Sequence, residues 1–227
     1  MTLSVLMPVY NELERVERAI SEVLAADLPT DIELIVVDDG STDGTRELLR
    51  DRDWDGRARY VEHDRNRGKG AAVQTALGHA GGEFAAIFDA DLEYDPADLA
   101  MLLPPLIEGT TNAAFGVRAF DGYSAHSFWY VLGNRGVTLA CNLLFNVFLH
   151  DIMTCQKVIR TDLLKSLELG SNGFTIEPEI TAKLLRRDER IYEVPVHYRA
   201  RSRAEGKKLT AYDGVRTVAT LIRCRVS

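Results

Sequence analysis

Short apolar runs alternate with segments of helical periodicity through the first half of the chain. Four runs rich in β-branched and aromatic residues predict strands, at residues 3–7, 32–37, 58–61 and 84–88. Between the first two, apolar residues recur three and four positions apart, which predicts a helix over residues 12–25. Strands that alternate with helices are typical of a mostly parallel sheet covered by helices, so the sequence predicts an α/β layered domain.

The same pattern continues with shorter elements. Helical periodicity indicates helices over residues 45–50 and 70–79. The pair Asp95–Pro96 is typical of a helix start, because Asp caps the first turn and Pro fits the first helical position. We expect that helix to run to about residue 106 and a fifth strand near residues 112–117.

A long predicted helix over residues 127–149 dominates the second half. Polar residues recur in it at every fourth position, which indicates a polar stripe that faces a polar neighbour or a cleft. The stripe consists of Asn134, Thr138, Asn142 and Asn146. Two further helices, over residues 177–186 and 210–223, are predicted on either side of a strand over residues 190–196 and a basic loop.

Composition supports one soluble globular domain. The 227 residues are 46% hydrophobic, and 27 basic against 34 acidic side chains give a net charge of −7. These values argue against a basic nucleic-acid-binding protein and against a disordered chain. The charge is uneven, because the segment from Arg186 to the end carries about +6 and the first 185 residues about −13.

Targeting and redox features are sparse. No basic region precedes the apolar run at the amino terminus, so we predict no signal peptide and expect a cytoplasmic protein, with contact at the inner face of the cell membrane left open. The apolar stretch 137–149 is too short and too polar to span a bilayer. The three cysteines lack the spacing of a zinc site, and the five histidines show no ligand spacing, so both sets are interpreted as structural.

Two acidic clusters follow predicted strands. Asp89 and Asp91, with Glu93 nearby, could hold a divalent cation such as Mg²⁺ or Mn²⁺, which prefers oxygen ligands; the alternative is a plain turn. Asp38 and Asp39 lie at the same sheet edge, where two acidic clusters repel unless a cation or hydrogen-bonding group lies between them. A bound nucleotide with its metal would fit, whereas a turn alone leaves Asp38 and Asp39 unexplained.

Two cationic segments suggest anion binding. Residues 66–70 open a helix, so Lys69 and the backbone N–H groups could face an anion, but Val73 replaces the third glycine of a dinucleotide fingerprint. The chain has no Walker sequence and no nucleophile elbow, so dehydrogenase, P-loop and α/β-hydrolase functions lose support. The loop 199–208 holds five cations that could bind phosphate; a solvated charge run is the alternative.

Taken in order, five segments resemble glycosyltransferase family 2, and within it the dolichol-phosphate mannose synthase-like branch that transfers sugars to polyprenyl phosphates. They are 8–12, 38–45, 66–70, 89–92 and 205–209. The resemblance implies a GT-A fold in one domain, 1–227, with a nucleotide-sugar-binding half (1–117) and an acceptor-binding half (118–227). Residues 151–157 and 174–179 look like a bacterial subgroup, so the sugar stays open.

The resemblance also implies roles for individual residues. The nucleotide site would be formed by Pro8, Tyr10, Glu12, Asp38, Asp39, Lys69 and Asp89. Asp89 and Asp91 would hold the metal, with Glu93 as third ligand although relatives often have Gln there. Asp89, Asp91, Arg118 and Arg201 would be catalytic, and the acceptor phosphate would be bound by Arg135, Arg201, Lys207 and Lys208.

Three functions remain open at this point. The first is an inverting displacement by a polyprenyl phosphate, whose dianion needs no general base. The second is transfer to a soluble hydroxyl acceptor, which needs a base such as Glu177, Glu179 or Asp151. The third is a non-catalytic nucleotide-sugar-binding module. The last helix could lie on an anionic membrane, although an apolar helix stripe of this kind more often packs in a core.

Overall fold

In the computed structural model, residues 1–52, 54, 56–118, 128–199 and 211–226 are described. The described strands are β1 (Thr2–Val9), β2 (Asp31–Asp38), β3 (Ala58–Glu62), β4 (Phe84–Ile87), β5 (Ala113–Arg118), β6 (Lys157–Arg160) and β7 (Ile191–Val196). The described α-helices are α1 (Val16–Ala25), α2 (Thr45–Asp51), α3 (Lys69–His79), α4 (Leu99–Leu102), α5 (Pro104–Ile107), α6 (Phe128–Phe145), α7 (Thr161–Ser166), α8 (Ile176–Arg186) and α9 (Ala211–Val226).

The described strands form one sheet in the order β3-β2-β1-β4-β6-β5-β7. Strands β1 to β4 pair in parallel, and β5 pairs in parallel with β7. Strand β6 runs antiparallel to both β4 and β5 and joins the two groups. The prediction of a mostly parallel α/β sheet is therefore confirmed. The sequence analysis missed β6, because its four residues include only two apolar ones, Val158 and Ile159, between Lys157 and Arg160.

Parallel pairing brings the carboxyl ends of β1, β2 and β4 to one edge. Val9 is in register with Asp38, and the N–H of Asp39 donates to the carbonyl of Val9 at 2.8 Å. The N–H of Phe88 donates to the carbonyl of Leu6 at 3.0 Å. The residues that follow these three strands therefore meet in space, as parallel topology requires.

The helix expected after Asp95 is divided. Asp95 does cap its start, since its carboxylate accepts from the N–H of Ala97 at 2.9 Å. A 3₁₀ turn, Pro96–Asp98, leads into α4, and α5 begins separately at Pro104. Pro104 has no N–H to continue the ladder of a single helix, which explains the division.

The polar stripe on α6 faces the protein's own chain. The side-chain amide of Asn142 donates to the carbonyl of Leu149 at 2.9 Å, and the N–H of Leu149 donates back at 3.0 Å. Thr138 is buried, and its hydroxyl accepts from the N–H of Ile152. Helix α6 ends at Phe145, earlier than predicted, because Asn146 takes a left-handed conformation with φ of 52°. For Thr138 and Asn142, two of the four residues of the predicted stripe, the expected polar neighbour is thus the segment that follows α6, whereas Asn146 is exposed beyond the end of the helix.

Apolar side chains pack on both faces of the sheet. One cluster lies under α1, α4 and α5, and a second lies under α3, α7 and α8. A third, smaller cluster joins α6, α8 and α9. Across the part of the chain that the structure describes, no helix combines the length and apolarity needed to cross a membrane.

Candidate active site

A cavity of about 300 Å³ opens at the carboxyl edge of the sheet. Its lining includes most of the residues predicted for the nucleotide and metal sites, and Arg118 stands on its wall. The predicted residues that line it are Pro8, Tyr10, Glu12, Asp39, Lys69, Asp89, Asp91, Glu93 and Arg118. Sequence segments up to 110 residues apart therefore converge on one site.

Lys69 lies between two carboxylates on the cavity wall. Its Nζ is 2.8 Å from Asp89 Oδ2 and 2.6 Å from Glu177 Oε1, and it donates to Cys155 Sγ at 3.1 Å. Burial alone would lower the pKa of Lys69, but the negative charge of Asp89 and its neighbours outweighs burial and holds that pKa well above its usual value. A cation of the protein thus neutralises part of the charge of Asp89 and Glu177.

The loop after β4 is a tight turn. The N–H of Glu93 donates to Asp91 Oδ1 at 3.1 Å, and Leu92 between them takes a left-handed conformation with φ of 61°. Such a conformation is costly for a branched side chain and is found mainly where surrounding structure enforces it. The turn directs Asp91 and Glu93 to the cavity.

Glu93 contacts another segment of the chain. Its carboxylate accepts from the hydroxyl of Tyr198 at 2.8 Å, and its carbonyl accepts from the N–H of Arg199 at 2.8 Å. Among the described residues no group of three His, Cys, Asp or Glu side chains is arranged to hold a metal ion. The roles of Asp89, Asp91 and Glu93 as metal ligands therefore stay predictions.

The pair Asp38–Asp39 is held by internal contacts. Asp38 is fully buried, pairs with Arg46 at 3.1 Å, and does not line the cavity. Asp39 does line the cavity, and its carboxylate accepts from the N–H groups of Arg67 at 2.9 Å and Gly68 at 2.8 Å. Asp39 therefore fixes the turn before α3, while Asp38 lies behind the site.

His63 was interpreted as structural, and its position adds to that role. It is buried, with Nδ1 2.7 Å from Asp39 Oδ1 and Nε2 2.9 Å from the hydroxyl of Thr75. It thus orients a carboxylate of the cavity from behind. No motif in the sequence marked this contact, because 24 residues separate the partners.

The glycines before α3 serve close packing. A Cβ on Gly68 would lie 2.4 Å from the carbonyl oxygen of Asn172, and one on Gly70 would lie 2.1 Å from that of Ser171. Gly68 also has φ of +98°, which side chains rarely adopt. The turn that carries Lys69 therefore fits tightly against the segment before α8.

Arg118 is buried in the cavity wall. Its guanidinium binds Asp151 through two contacts, Nε to Oδ2 at 2.6 Å and Nη2 to Oδ1 at 2.9 Å. It also donates to the hydroxyl of Tyr130 at 2.8 Å and lies 5.1 Å from the ring centre of Tyr198. Burial alone would lower the pKa of Arg118, but Asp151 outweighs it and holds that pKa well above its usual value. The cation is therefore rigidly placed.

Other predicted residues lie away from the cavity. Arg135 is exposed on α6 and is not among the lining residues. Arg201, Lys207 and Lys208 fall outside the described residues. Tyr198, near the end of the described segment 128–199, forms an antiparallel bridge with Tyr94 in the turn after β4.

The candidate bases differ in availability. Glu179 accepts from the N–H groups of Gly170 and Ser171 at 3.0 and 2.7 Å and does not line the cavity. Asp151 is bound to Arg118. Glu177 lines the cavity but is paired with Lys69.

Sequence comparison identifies relatives of known activity. The chain is 28% identical over 214 residues to dolichol-phosphate mannosyltransferase of Pyrococcus furiosus. This alignment covers 91% of this chain and 59% of that relative. The chain is 31% identical over 218 residues to dodecaprenyl-phosphate galacturonate synthase of Rhizobium johnstonii, covering 90% and 61%. The chain thus spans about 60% of the length of these relatives.

Structure comparison identifies the fold. Glucosyl-3-phosphoglycerate synthase from Mycobacterium tuberculosis, solved with Mn²⁺, UDP and glucosyl-3-phosphoglycerate, superposes with a TM-score of 0.74 at 22% identity, covering 99% of this chain and 80% of that one. The same enzyme solved with Mg²⁺ and UDP gives a TM-score of 0.71 at 21% identity, covering 99% and 79%. The predicted GT-A fold is confirmed.

The sequence model of "Glycosyl transferase family 2" matches residues 4–168, which include the carboxyl ends of β1, β2 and β4 at the cavity. The chain belongs to glycosyltransferase family 2.

Proposed function

We propose that the protein transfers a sugar, with inversion, from a nucleoside-diphosphate sugar to a polyprenyl phosphate, and that a divalent metal assists. The observation that carries this proposal is one cavity lined by the carboxylates of Asp89 and Asp91 and by two cations, Arg118, which is buried, and Lys69, which contacts Asp89. Such a cavity suits a diphosphate with its metal beside a second phosphate.

The acidic side fits a hard divalent ion. Asp89 and Asp91 provide carboxylate oxygens at the cavity surface, and Mg²⁺ commonly takes one or two carboxylates together with phosphate oxygens and water. When bound, Mg²⁺ or Mn²⁺ would stabilise the charge that develops on the leaving nucleoside diphosphate. The lysine at Asp89 already neutralises part of the charge of this cluster.

The nucleoside would lie against the end of β1. Pro8, Tyr10 and Glu12 line the cavity there, together with Asp39 at the end of the neighbouring β2. The turn 10–12 is tied to the segment after β2, because the N–H of Asn11 donates to the hydroxyl of Ser41 at 2.9 Å. These contacts give the nucleoside a preformed wall.

The state of the candidate bases favours a phosphate acceptor. A hydroxyl acceptor needs a carboxylate that can take a proton, whereas a monoester phosphate with a second pKa of about 6 is already a dianion at neutral pH. Asp151 and Glu177 are each bound to a cation, and Glu179 is turned away. Both named relatives take their names from polyprenyl phosphate products. The acceptor would be met at the cytoplasmic face of the membrane.

The test separates donor from acceptor. A thermal-shift screen of GDP-mannose, UDP-glucose and UDP-N-acetylglucosamine with Mn²⁺ selects the donor. Transfer is then measured to a polyprenyl phosphate, to the matching polyprenol without phosphate, and to glycerol phosphate. We expect product with the polyprenyl phosphate alone. Turnover on glycerol phosphate without lipid would instead establish the soluble hydroxyl acceptor, and donor binding without any turnover would establish a binding module.

A further inference from the structure

Helix α6 buries one apolar stripe and exposes another. Val137 and Cys141 on its inner side pack in the third apolar cluster. On a second side, Leu139 is 57% exposed and Leu143 is 76% exposed, and Phe128 and Leu132 continue this stripe towards the start of the helix. A helix on the surface of a protein in water normally keeps its exposed side polar.

Helix α9 packs beside α6 and adds a second outward apolar stripe. Its inner side is buried through Thr217, Leu221 and Cys224, and the third apolar cluster lies beneath it. Its outer side exposes apolar residues at positions 215, 222 and 226. The α6–α9 face is defined by Leu139, Leu143, Phe148, Val215, Ile222 and Val226, of which Phe148 and Val226 are each 79% exposed.

The charge of this face opposes that of the whole chain. Helix α6 contains no acidic residue and carries Arg135 on its exposed surface. Helix α9 contains one aspartate against three arginines, and Arg216, Arg223 and Arg225 are all exposed. The chain as a whole has a net charge of −7. Basic residues beside exposed apolar residues are typical of helices that lie in the interface of an anionic membrane.

We propose that the α6–α9 face binds the surface of an anionic lipid bilayer. The apolar residues would enter the headgroup and upper acyl region, and the arginines would contact anionic headgroups. A second copy of the chain fits less well, because a two-fold contact through this face would place its arginines against their equivalents.

The location of α6 connects this face to the cavity. Tyr130 lies in the first turn of α6 and lines the cavity beside Arg118. Bilayer contact through α6 and α9 would therefore bring the cavity close to lipid. The role of this position in catalysis rests on the proposed lipid acceptor. Binding to the bilayer does not rest on it, since binding requires neither nucleotide nor acceptor.

Vesicle sedimentation of the 227-residue protein tests the proposal. Phosphatidylcholine vesicles with and without phosphatidylglycerol, both free of polyprenyl phosphate, are compared at low and high salt. We expect at least about tenfold stronger partition onto the anionic vesicles at low salt, and a decrease with added salt because the ions screen the arginines.

Two variants and their controls locate the contact. Leu143→Glu should weaken partition by about tenfold or more, because a charge replaces an apolar side chain at the bilayer. Met101→Glu introduces the same charge at a residue of α4 that is also exposed, at 45%, and should leave partition unchanged. Arg223→Glu should abolish the preference for anionic lipid, whereas Arg18→Glu, at an exposed residue of α1, should not. Circular dichroism checks that each variant is folded.

Either of two results overturns the proposal. One is no partition of the wild-type protein onto vesicles at low salt, and the other is equal partition of the Leu143→Glu and Met101→Glu variants. Sedimentation velocity of the same proteins without lipid supplies a further outcome. A dimer that Leu143→Glu dissociates would identify the face as a contact between two copies, and the bilayer proposal would be wrong. If the protein partitions onto vesicles but transfers no sugar to polyprenyl phosphate, the proposed function is wrong and the bilayer proposal stands.

Discussion

Two acidic pairs lie at the same edge of the sheet, at the ends of the two parallel strands that flank β1. Asp38 is the last residue of β2 and Asp39 follows it, whereas Asp89 and Asp91 lie in the turn after β4. Their surroundings differ. Asp38 is fully buried against Arg46, and Asp39 accepts hydrogen bonds from the turn before α3. Asp89 and Asp91 stay partly exposed at the cavity, where Lys69 contacts Asp89.

The comparison shows how one local pattern serves two purposes. An acidic pair after a buried strand is locally the same signal in both places. Long-range partners decide the role, since Arg46, His63 and Gly68 enclose the first pair. We therefore expect changes to the first pair to reduce stability and changes to the second to reduce activity.

The largest effect is expected from Asp91→Asn. Removing one negative charge at the leaving group should lower kcat by about 10²–10³-fold, or about 3–4 kcal/mol, because that charge would hold the metal. Thermal stability should change little, since Asp91 is partly exposed. Initial rates across a Mn²⁺ titration, with the melting temperature alongside, measure both.

Asp95→Asn is the matched control for Asp91. It makes the same chemical change in the same loop at an exposed residue outside the cavity lining, and Asn caps a helix as well as Asp does. Unchanged turnover of the Asp91→Asn variant would show that the metal is not held there.

Asp38→Asn should give the reverse result. The substitution removes the charge that Arg46 and the N–H of Ser41 contact in a fully buried position, which costs about 2–3 kcal/mol of unfolding free energy. Turnover per folded molecule should remain near the wild-type value. Urea denaturation and activity below the melting transition measure this, with the exposed pair Asp64–Arg67 as a control through Asp64→Asn. A stable but inactive Asp38→Asn variant would place Asp38 in the nucleotide site.

His63→Phe should produce an intermediate result that tests the link between the pairs. Asp39 would lose one hydrogen bond but keep those from Arg67 and Gly68, so nucleotide affinity should fall about three- to tenfold. Calorimetry with the selected nucleoside diphosphate and Mn²⁺ measures the change. Unaltered affinity would show that the turn before α3 keeps Asp39 in place without His63.

The smallest effect concerns Asp98, a third carboxylate, which is buried downstream of Asp91. Its hydrogen bond raises the pKa of His197 above the usual value of 6.5. The folded state therefore binds the proton more tightly than the unfolded state, so stabilisation is present below pH 6.5 and is lost as pH rises through the raised pKa. NMR titration of the imidazole and denaturation across that range measure it; His197→Asn should remove the pH-dependent part alone.

Sequence reasoning succeeded where the signal was local. Apolar periodicity and the caps gave the strands around residues 3–7 and 32–37 and the start at Asp95, because strands and turns depend on neighbours in the chain. It failed at β6 and at the break before Pro104. It also could not separate Asp38 from Asp91, or see that Lys69 pairs with Glu177, 108 residues away.

The alternation of strands and helices along the sequence by itself determined the fold class, and it predicted the sheet edge where the two acidic clusters lie. Tertiary structure decided which carboxylates face the cavity and which are enclosed. It also decided that α6 leaves a stripe of apolar residues exposed, among them Leu139 and Leu143. The physical reason is that burial and hydrogen bonding depend on partners distant in sequence, and a periodic pattern fixes which residues share a face but not what that face contacts.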